Sequence, residues 1–327
     1  MVADAPPDQQ HLQVLKDVSF RPTFIIGDHR SGTTLLHRLL AETGCFNYVS
    51  AYHVIKYDEV LKNHLEGRTE TAKQALMNTF SDLGLKNRII DNIPVTPDAP
   101  LEYGFLLRAR RPVITAERLP RFLEICKKVQ YISDPAKPLI LKNPWDVLNF
   151  REIQSRFPEA RLVFIHRHPL FVMNSQLQAI RSMLQARNGF AAMIAPWYAR
   201  LFNNPLKLTA VRALTSPRLG LWERLVGVHT IRMARYFVEN IGAVSAAQYV
   251  SIRYEDLCQQ PDAAMSKIMD FLCAKPTAIR SYQDSIEPRP PKILPEVKKR
   301  YDRIRQQLVP YLKHHRYELE PQWISAK

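Results

Sequence analysis

The sequence predicts an α/β fold of the phosphate-loop type: a doubly wound, mostly parallel sheet flanked by helices, with a helical lid insertion. Short apolar runs typical of buried strands alternate with segments of helical periodicity along the chain. The first such run breaks at Gly27 and gives way to a helical pattern at Thr33. A chain of 327 residues can also bury a sizeable core. We therefore expect residues 1–327 to form one domain around a mostly parallel sheet.

The first part of the chain supplies two predicted strands. Residues 1–20 read as a short lead-in with few structural demands, and a strand over 23–26 leads into the loop before Thr33. A second strand is predicted over 48–52, ending at His53. Residues 54–90 have a helical tendency, and their charged side chains are expected to be solvated, namely Lys56, Lys62, Lys86 and Arg88.

The remaining elements follow the same alternation. A proline-punctuated loop over 91–100 precedes a helical pattern that places Glu102 in its first turn, where the helix dipole favours an anion. The other predicted elements are a strand over 138–142, a strand from 161 followed by polar residues and a helix with Pro169 at its first position, a basic and apolar lid insertion over 180–225, a helix over 220–240, a strand with an acidic turn over 249–257, and a basic C-terminal segment over 285–327.

Residues 24–36 contain the most informative motif. Gly27 and Gly32 let the backbone turn tightly, so that successive N–H groups can point at one anion, and the following helix adds its positive N-terminal end. A nucleotide-triphosphate loop of the G-x-x-x-x-G-K-[ST] type has a lysine after its second glycine. Here Thr33 takes that position, and the cation lies within the loop as Arg30. The loop is therefore suited to a phosphate but poorly equipped for ATP, and its plainest alternative is a tight turn with no ligand.

Further candidate residues follow the later strands. Lys142 lies at the carboxyl end of one strand, where ligands collect in open α/β sheets. Arg167 leaves the end of the next, and Ser175 follows about two helical turns later, so both could reach one phosphate. Each also has a purely structural reading as a solvated lysine, a surface charge or a helix-surface hydroxyl. Glu102 equally fits an ordinary helix-start carboxylate.

The charge balance indicates anionic partners. Lys and Arg total 46 against 31 Asp and Glu, a formal net charge of +15. A phosphorylated cofactor, an acidic membrane and nucleic acid all fit that charge. No zinc-finger spacing, Arg/aromatic repeat or long basic tail supports nucleic-acid recognition, so no nucleic-acid partner is expected.

Cysteine usage and the absence of targeting signals indicate the compartment. The four cysteines are scattered and form no C-x-x-C pair, so they are expected to be reduced thiols. The first twenty residues lack a continuous apolar region, and no run approaches the length of a membrane helix. A cytoplasmic location is the resulting expectation.

The motifs are modest alone but informative in their order. They are Arg30-Ser31-Gly32-Thr33-Thr34, Lys142-Asn143-Pro144, Arg167-x-Pro169 with Ser175, and Tyr254-Glu255-Asp256-Leu257. This order resembles the sulfotransferases that use 3′-phosphoadenosine 5′-phosphosulfate (PAPS), over roughly residues 22–275. The loop resembles the bacterial and tyrosylprotein-type branch, because it reads Arg-Ser-Gly-Thr-Thr and not the Lys-Ser-Gly-Thr-Thr-Trp of the phenol-type branch.

The resemblance implies a cofactor site and a mechanism. The loop from Arg30 to Thr34 would hold the 5′-phosphosulfate, while Arg167 and Ser175 would hold the 3′-phosphate. The cofactor-binding set assigned by this resemblance is Arg30, Ser31, Gly32, Thr33, Thr34, Arg167, Ser175, Arg253 and Lys292. The reaction would be an in-line displacement, with Arg30 and Lys142 beside the leaving phosphate.

The acceptor hydroxyl needs a base, and the resemblance assigns that role to Glu102, with His53 as the rival base or an orienting group. The Lys142-Asn143-Pro144 segment lacks the histidine of the phenol-type enzymes, which excludes their version of the mechanism. No acidic pair accompanies the loop, so no metal requirement is expected.

The predicted activity is transfer of a sulfuryl group from PAPS to a hydroxyl, or less readily an amine, of a small molecule, lipid or glycan. Two alternatives stay open from the sequence. One is a P-loop kinase, against which the missing lysine argues. The other is a non-catalytic protein that binds polyanions or makes peripheral contact with anionic membranes through its basic residues.

Overall fold

The computed structural model describes residues 6–88, 93–109, 111–276, 281–286 and 291–321. Its centre is a five-stranded sheet in the order β2-β3-β1-β4-β5, in which every neighbouring pair is parallel. The strands are β1 (Pro22–Ile26), β2 (Asn47–Tyr48), β3 (Leu139–Lys142), β4 (Arg161–His166) and β5 (Tyr249–Arg253). The predicted doubly wound α/β fold is confirmed.

Helices cover both faces of this sheet. The α-helices are α1 (Thr33–Glu42), α2 (Ala51–Ile55), α3 (Val60–Leu65), α4 (Thr69–Asp82), α5 (Leu119–Tyr131), α6 (Phe150–Arg156), α7 (Pro169–Gln185), α8 (Gly189–Ile194), α9 (Pro196–Phe202), α10 (Pro205–Leu214), α11 (Leu221–Asn240), α12 (Tyr254–Gln259), α13 (Pro261–Leu272) and α14 (Pro295–His314). Short 3₁₀ helices span Pro7–Leu15, Tyr103–Leu107, Pro144–Leu148, Ile241–Ala243, Ala246–Gln248 and Gln283–Ser285.

Strands β1, β3 and β4 are largely apolar on both faces because the centre of the sheet is buried on both. Along β1, Phe24 and Ile26 belong to one buried cluster and Ile25 belongs to another. This alternation follows from the period of two residues in a strand. The first cluster also receives α7, α11 and α14, and the second receives α1 and α13. The sheet therefore separates two hydrophobic cores.

The register of the central strands brings the candidate site residues to one edge. Ile25 of β1 lies opposite Lys142 of β3, and Ile26 lies opposite Phe164 of β4. The loop after β1, the end of β3 and the residues after β4 therefore emerge side by side, as expected for the carboxyl ends of parallel strands.

The strand predicted over 48–52 is wrong in most of its length. β2 ends at Tyr48, and a helix begins at Ala51. Ser50 and His53 form a capping box, in which the Ser50 amide donates to His53 Nδ1 at 3.0 Å and the His53 amide donates to Ser50 Oγ at 3.4 Å. This local side-chain capping starts a helix where the alternation of residues predicted a strand.

The N-terminal segment and the region around Glu102 also differ from expectation. Asp8 is buried and pairs with Lys128 at 2.9 Å, so the described part of the lead-in is a packed element. Glu102 precedes a 3₁₀ helix over Tyr103–Leu107 instead of lying in an α-helix.

Pro288, Arg289 and Pro290 of the predicted C-terminal segment lie outside the described residues. The segment 180–225, which we name the lid segment, is helical and comprises the end of α7, α8 to α10 and the start of α11.

Candidate active site

The loop between β1 and α1 has two positions, Gly27 and Gly32, at which only glycine fits. Gly32 has a φ of 101°, and a Cβ there would lie 2.3 Å from Cδ2 of Tyr254. A Cβ on Gly27 would lie 2.6 Å from the carbonyl oxygen of Ile165. Within the loop, Ser31 Oγ donates to the Asp28 carbonyl at 2.8 Å. Because neither glycine carries a side chain, the backbone can turn tightly here and its N–H groups can approach an anion at the N-terminus of α1.

Two arginines and a serine meet beside this loop. Arg30 Nε donates to Ser175 Oγ at 3.1 Å, and Arg167 Nη1 donates to the Arg30 carbonyl at 3.1 Å. The Arg167 guanidinium lies 4.5 Å from the centre of the Tyr254 ring, a cation–π distance. Arg30 itself has a φ of 71°, a left-handed conformation that is uncommon for arginine. The loop, Arg167 and Ser175 together are named the phosphate-loop side.

Lys142 joins the loop to Glu102. Its Nζ donates to Thr34 Oγ1 at 2.8 Å and to Glu102 Oε1 at 2.5 Å. Both charged side chains are buried, and they form a salt bridge. We name Glu102, Lys142 and the segment 99–107 the Glu102 side.

Long-range contacts hold Glu102 in place. The Leu101 amide donates to the Val49 carbonyl at 2.8 Å, which aligns the segment before Glu102 with the residues after β2. On the other side of Glu102, a Cβ on Gly104 would lie 2.4 Å from Oδ1 of Asn143. Gly104 therefore lets this segment approach the residue that follows Lys142, which brings the two charges together.

The electrostatics of Glu102 are set by two cations. Burial raises the pKa of Glu102, but Lys142 and Arg88 outweigh burial and lower the pKa to about 2. Arg88 Nη2 lies 3.9 Å from Glu102 Oε1. Among the described residues, Glu102 Oε2 is buried and has no hydrogen-bond partner. The carboxylate is therefore ionised and keeps one oxygen that can accept a proton.

The residues that match a known family cover most of the chain. A model of the sulfotransferase family matches residues 22–275. The chain belongs to the sulfotransferase family.

Two curated sulfotransferases are similar in sequence. They are the omega-hydroxy-beta-dihydromenaquinone-9 sulfotransferases Stf3 of Mycobacterium bovis and Mycobacterium tuberculosis, each 26% identical over 286 residues. The match covers 80% of this chain but only 66% of each relative, so this chain spans just under two thirds of their length.

Two solved sulfotransferases share the fold. The crystal structure of STF9 from Mycobacterium avium superposes with a TM-score of 0.57 at 15% identity, covering 95% of this chain and 72% of that one. STF1 from Mycobacterium tuberculosis gives a TM-score of 0.51 at 14% identity, covering 89% of this chain and 73% of that one.

Three further predicted site residues have protein contacts of their own. His53 caps α2, and burial, together with Lys73, lowers its pKa to about 4. Arg253 pairs with Asp256 and donates to the Arg316 carbonyl at 3.2 Å. Lys292 is exposed, and its carbonyl accepts from Asn174 Nδ2 at 3.2 Å. The backbone of Lys292 therefore lies beside the helix that carries Ser175.

A buried polar cluster beneath the sulfotransferase loop escaped the sequence analysis. Asp28 Oδ1 lies 3.0 Å from His229 Nε2 of α11, and Asp28 Oδ2 accepts from Gln176 Nε2 of α7 at 3.0 Å. Burial raises the pKa of Asp28, but its bonds with His229 and nearby charges lower it overall. Asp28 thus fastens the loop to two helices. Its partners are more than a hundred residues away in sequence, so only its position after Gly27 could have drawn attention to it.

The motif 254–257 supports Arg167, the arginine that the family resemblance assigned to the 3′-phosphate. Besides the contact of Tyr254 with Arg167, Glu255 Oε1 accepts the His168 amide at 3.0 Å and Glu255 Oε2 accepts Tyr317 Oη–H at 2.7 Å. These contacts fix the turn between β4 and α7, from which Arg167 projects.

The prediction that the Arg88 side chain is solvated is wrong. The side chain is only 13% exposed, and it lies near both Glu102 and the Phe190 ring, 5.9 Å away. The isolated basic residue gave no sign of this, because one contact depends on the segment that carries Glu102 and the other on the lid segment.

Proposed function

We propose that this chain transfers the sulfuryl group of PAPS to a hydroxyl group on an apolar small molecule or lipid. The observation that carries the proposal is the continuous contact from the phosphate loop through Thr34 and Lys142 to Glu102. It joins an anion cradle to a buried carboxylate. The family supports sulfuryl transfer as the reaction class. PAPS supplies an activated sulfuryl group with a nucleotide phosphate as leaving group.

The phosphate-loop side has the donors that PAPS requires. The backbone N–H groups of residues 30–34 and the hydroxyls of Thr33 and Thr34 would bind the 5′-phosphosulfate. Arg167 and Ser175 would bind the 3′-phosphate, because Arg–phosphate hydrogen bonds are charge-assisted and geometrically matched. Arg30 belongs to the loop and contacts Ser175 directly.

Lys142 has two roles in this proposal. Its ammonium would stabilise the negative charge that develops on the leaving phosphate oxygen. It also holds the pKa of Glu102 near 2 while the two are paired. When Lys142 turns part of its hydrogen bonding toward an anion in the loop, its pairing with Glu102 weakens and the pKa of Glu102 rises. The lysine would thus couple an occupied loop to a stronger base.

Glu102 would take the proton of the acceptor hydroxyl. The unpartnered Oε2 is available for that proton, whereas Oε1 is held by Lys142. A general base must reach the proton by a hydrogen bond and have a pKa near the working pH. Weaker pairing with Lys142 would bring the pKa of Glu102 closer to that pH. His53, the alternative base, uses its Nδ1 in the helix cap.

An apolar acceptor fits the surroundings of Glu102. Trp145 lies 4.8 Å from the His29 ring and 6.1 Å from the Phe105 ring, so an aromatic group borders the Glu102 side. The two curated relatives are named for a hydroxylated menaquinone lipid. The aromatic border suits an apolar molecule, and the substrate named for the relatives favours a hydroxyl over an amine and a lipid over a glycan.

The first test is calorimetric titration with adenosine 3′,5′-bisphosphate, compared with AMP and with ATP plus Mg²⁺. We expect the 3′-phosphorylated ligand to bind at least tenfold more tightly than AMP, since a charge-assisted hydrogen bond contributes about 1.5–3 kcal/mol. Tighter binding of ATP–Mg²⁺ would favour the kinase alternative. Loss of all nucleotide binding would leave the non-catalytic alternative.

The second test is turnover with radiolabelled PAPS and a panel of acceptors. The panel should contain an ω-hydroxylated dihydromenaquinone, simple long-chain alcohols, a glycan and an alkyl amine. We expect label transfer to hydroxylated apolar acceptors. Labelling of the glycan or the amine alone would contradict the proposed acceptor class while leaving the donor assignment intact.

A further inference from the structure

The outer face of the lid segment exposes large apolar side chains. We name the exposed side chains of residues 196–228 the lid surface. Leu206 is 85% exposed, Leu225 is 59% exposed, and Trp197 and Val228 are each 57% exposed. A single exposed leucine needs no explanation, but this set is concentrated in 33 consecutive residues.

The local helices explain why these side chains are not buried. In α10, whose ten residues are all described, Leu208 alone is buried. In α11, Leu221, Leu225 and Val228 are spaced so that they lie along one face, and that face is exposed. The lid surface thus presents two amphipathic helices with their outward apolar residues unpartnered among the described residues.

The charges on the lid surface all have one sign. Its exposed ionisable residues are Arg200, Lys207, Arg212, Arg218 and Arg224. The one acidic residue between 196 and 228 is Glu223, which is buried and pairs with Arg181 at 3.1 Å. The lid surface therefore combines five exposed positive charges with apolar side chains and carries no exposed negative charge.

We propose that the lid surface docks on a lipid bilayer that contains anionic headgroups. Apolar side chains of interfacial helices enter the boundary between headgroups and acyl chains, while Arg and Lys reach the anionic phosphates. Trp197 has the amphipathic ring that favours this boundary. Charge complementarity selects the partner, because a surface with exposed basic and apolar residues but no acidic ones matches anionic lipid headgroups.

The inner face of the lid segment connects this docking to the site. Phe190 and Tyr198 pack in one buried cluster with Leu101, the neighbour of Glu102. A chain docked through the lid surface would therefore hold the Glu102 side close to the membrane, from which an apolar acceptor could enter. This last step rests on the proposed function, whereas the binding itself does not.

The test is cosedimentation of the full chain with lipid vesicles. One set contains phosphatidylcholine with a fraction of phosphatidylglycerol, and the other contains phosphatidylcholine alone. We expect binding to the anionic vesicles that weakens steeply with added salt, since each basic residue near such a surface contributes about 1 kcal/mol, or roughly fivefold in affinity. Equal binding to both sets, or none to either, overturns the proposal.

A matched pair of variants tests the location. Leu214 on the lid surface and Leu65 on α3 are both 44% exposed. We expect Leu214→Glu, and more strongly Leu225→Glu, to weaken vesicle binding by about tenfold or more, because each removes apolar contact and adds repulsion. Leu65→Glu adds the same charge elsewhere and should have little effect. An equal loss in Leu65→Glu would refute the assignment to the lid surface.

Two further measurements separate the possible outcomes. Sedimentation velocity tests for self-association. A dimer that Leu225→Glu dissociates would overturn the proposal, because the partner of the lid surface would then be a second copy of the chain. Calorimetry with adenosine 3′,5′-bisphosphate should give the same affinity for all these variants. A chain that binds this nucleotide but no vesicle retains the proposed function and loses only the docking proposal.

Discussion

The phosphate-loop side and the Glu102 side are built in different ways. The loop over residues 27–34 is continuous in sequence. Its shape depends on two glycines, at which a Cβ would clash with neighbouring atoms. Glu102 lies on an irregular segment that is held by residues just after β2 and β3 and by the lid segment. One side is therefore specified by local backbone conformation and the other by tertiary contacts.

A buried carboxyl group supports each side, and the pKa values of the two groups are shifted in opposite directions. Burial raises the pKa of Asp28, but contacts with His229 lower it below the ordinary value, so Asp28 is ionised. The pKa of Asp146 is raised to about 7, because the effect of burial exceeds the opposing effect of its hydrogen bonds with Tyr103 and Asn143. The difference teaches that a charged partner, and not burial alone, decides whether a buried carboxyl group keeps its charge.

The largest expected effect separates the two sides by chemistry. Glu102→Gln keeps the size of the side chain but removes the base, so we expect kcat to fall by about 10²–10⁴-fold. Affinity for adenosine 3′,5′-bisphosphate, measured by calorimetry, should stay within a few fold of the original. His53→Gln is the control and should retain turnover. Full activity in Glu102→Gln with loss in His53→Gln would move the base to His53.

The second effect should be confined to the phosphate-loop side. Arg167→Ala is expected to weaken binding of adenosine 3′,5′-bisphosphate by roughly 10–100-fold, since a hydrogen bond to a charged group contributes about 1.5–3 kcal/mol. Binding of AMP, which lacks the 3′-phosphate, should change little. Equal losses for both nucleotides would show that Arg167 supports the loop in general, through its bond to the Arg30 carbonyl.

A glycine substitution tests whether backbone shape specifies the loop. Gly32→Ala should destabilise the chain by about 1–3 kcal/mol in denaturant titration, because it combines a positive φ with a clash against Tyr254. Gly84 also has a positive φ, but a Cβ there meets nothing within 4 Å. Gly84→Ala should therefore cost clearly less. Similar costs for both would mean that the close approach of Tyr254 is unimportant.

The last comparison is a pair of opposite pH dependences. Because the folded pKa of Asp146 is raised, the folded state binds more protons than the unfolded state between about pH 4 and 7, and stability falls as pH rises through this window. The slope is at most about 1.4 kcal/mol per pH unit. The stability of the wild type relative to Asp146→Asn should therefore fall as pH rises from 4 to 7.

Asp28 should behave in the opposite way. Its lowered folded pKa contributes stability above the unfolded value of 3.8, and this contribution is lost as pH falls through the folded pKa. The stability of the wild type relative to Asp28→Asn should therefore decrease on acidification. The same pH trend in both comparisons would contradict the contrast between the two carboxyl groups.

The sequence by itself determined the features that depend on neighbours along the chain. Short continuous apolar runs located β1, β3 and β4, because strands covered on both faces carry apolar side chains on both. In β5 buried and partly exposed residues alternate instead. The spacing of Gly27, Arg30 and Gly32 located the loop, and the order of strands and helices predicted parallel pairing. Where a short-range cap competed with alternation, at Ser50 and His53, the strand prediction failed.

Only the tertiary structure decided what depends on residues distant in sequence. Glu102 meets Lys142 across 40 residues, and Asp28 meets His229 across 201 residues. No local pattern encodes such pairs, because the folding of the intervening chain sets which side chains meet. The same holds for charge state: Lys142 keeps Glu102 ionised, while Asp146, which has no cation among its described partners, has its pKa raised to about 7. Burial and partner are both properties of the folded chain.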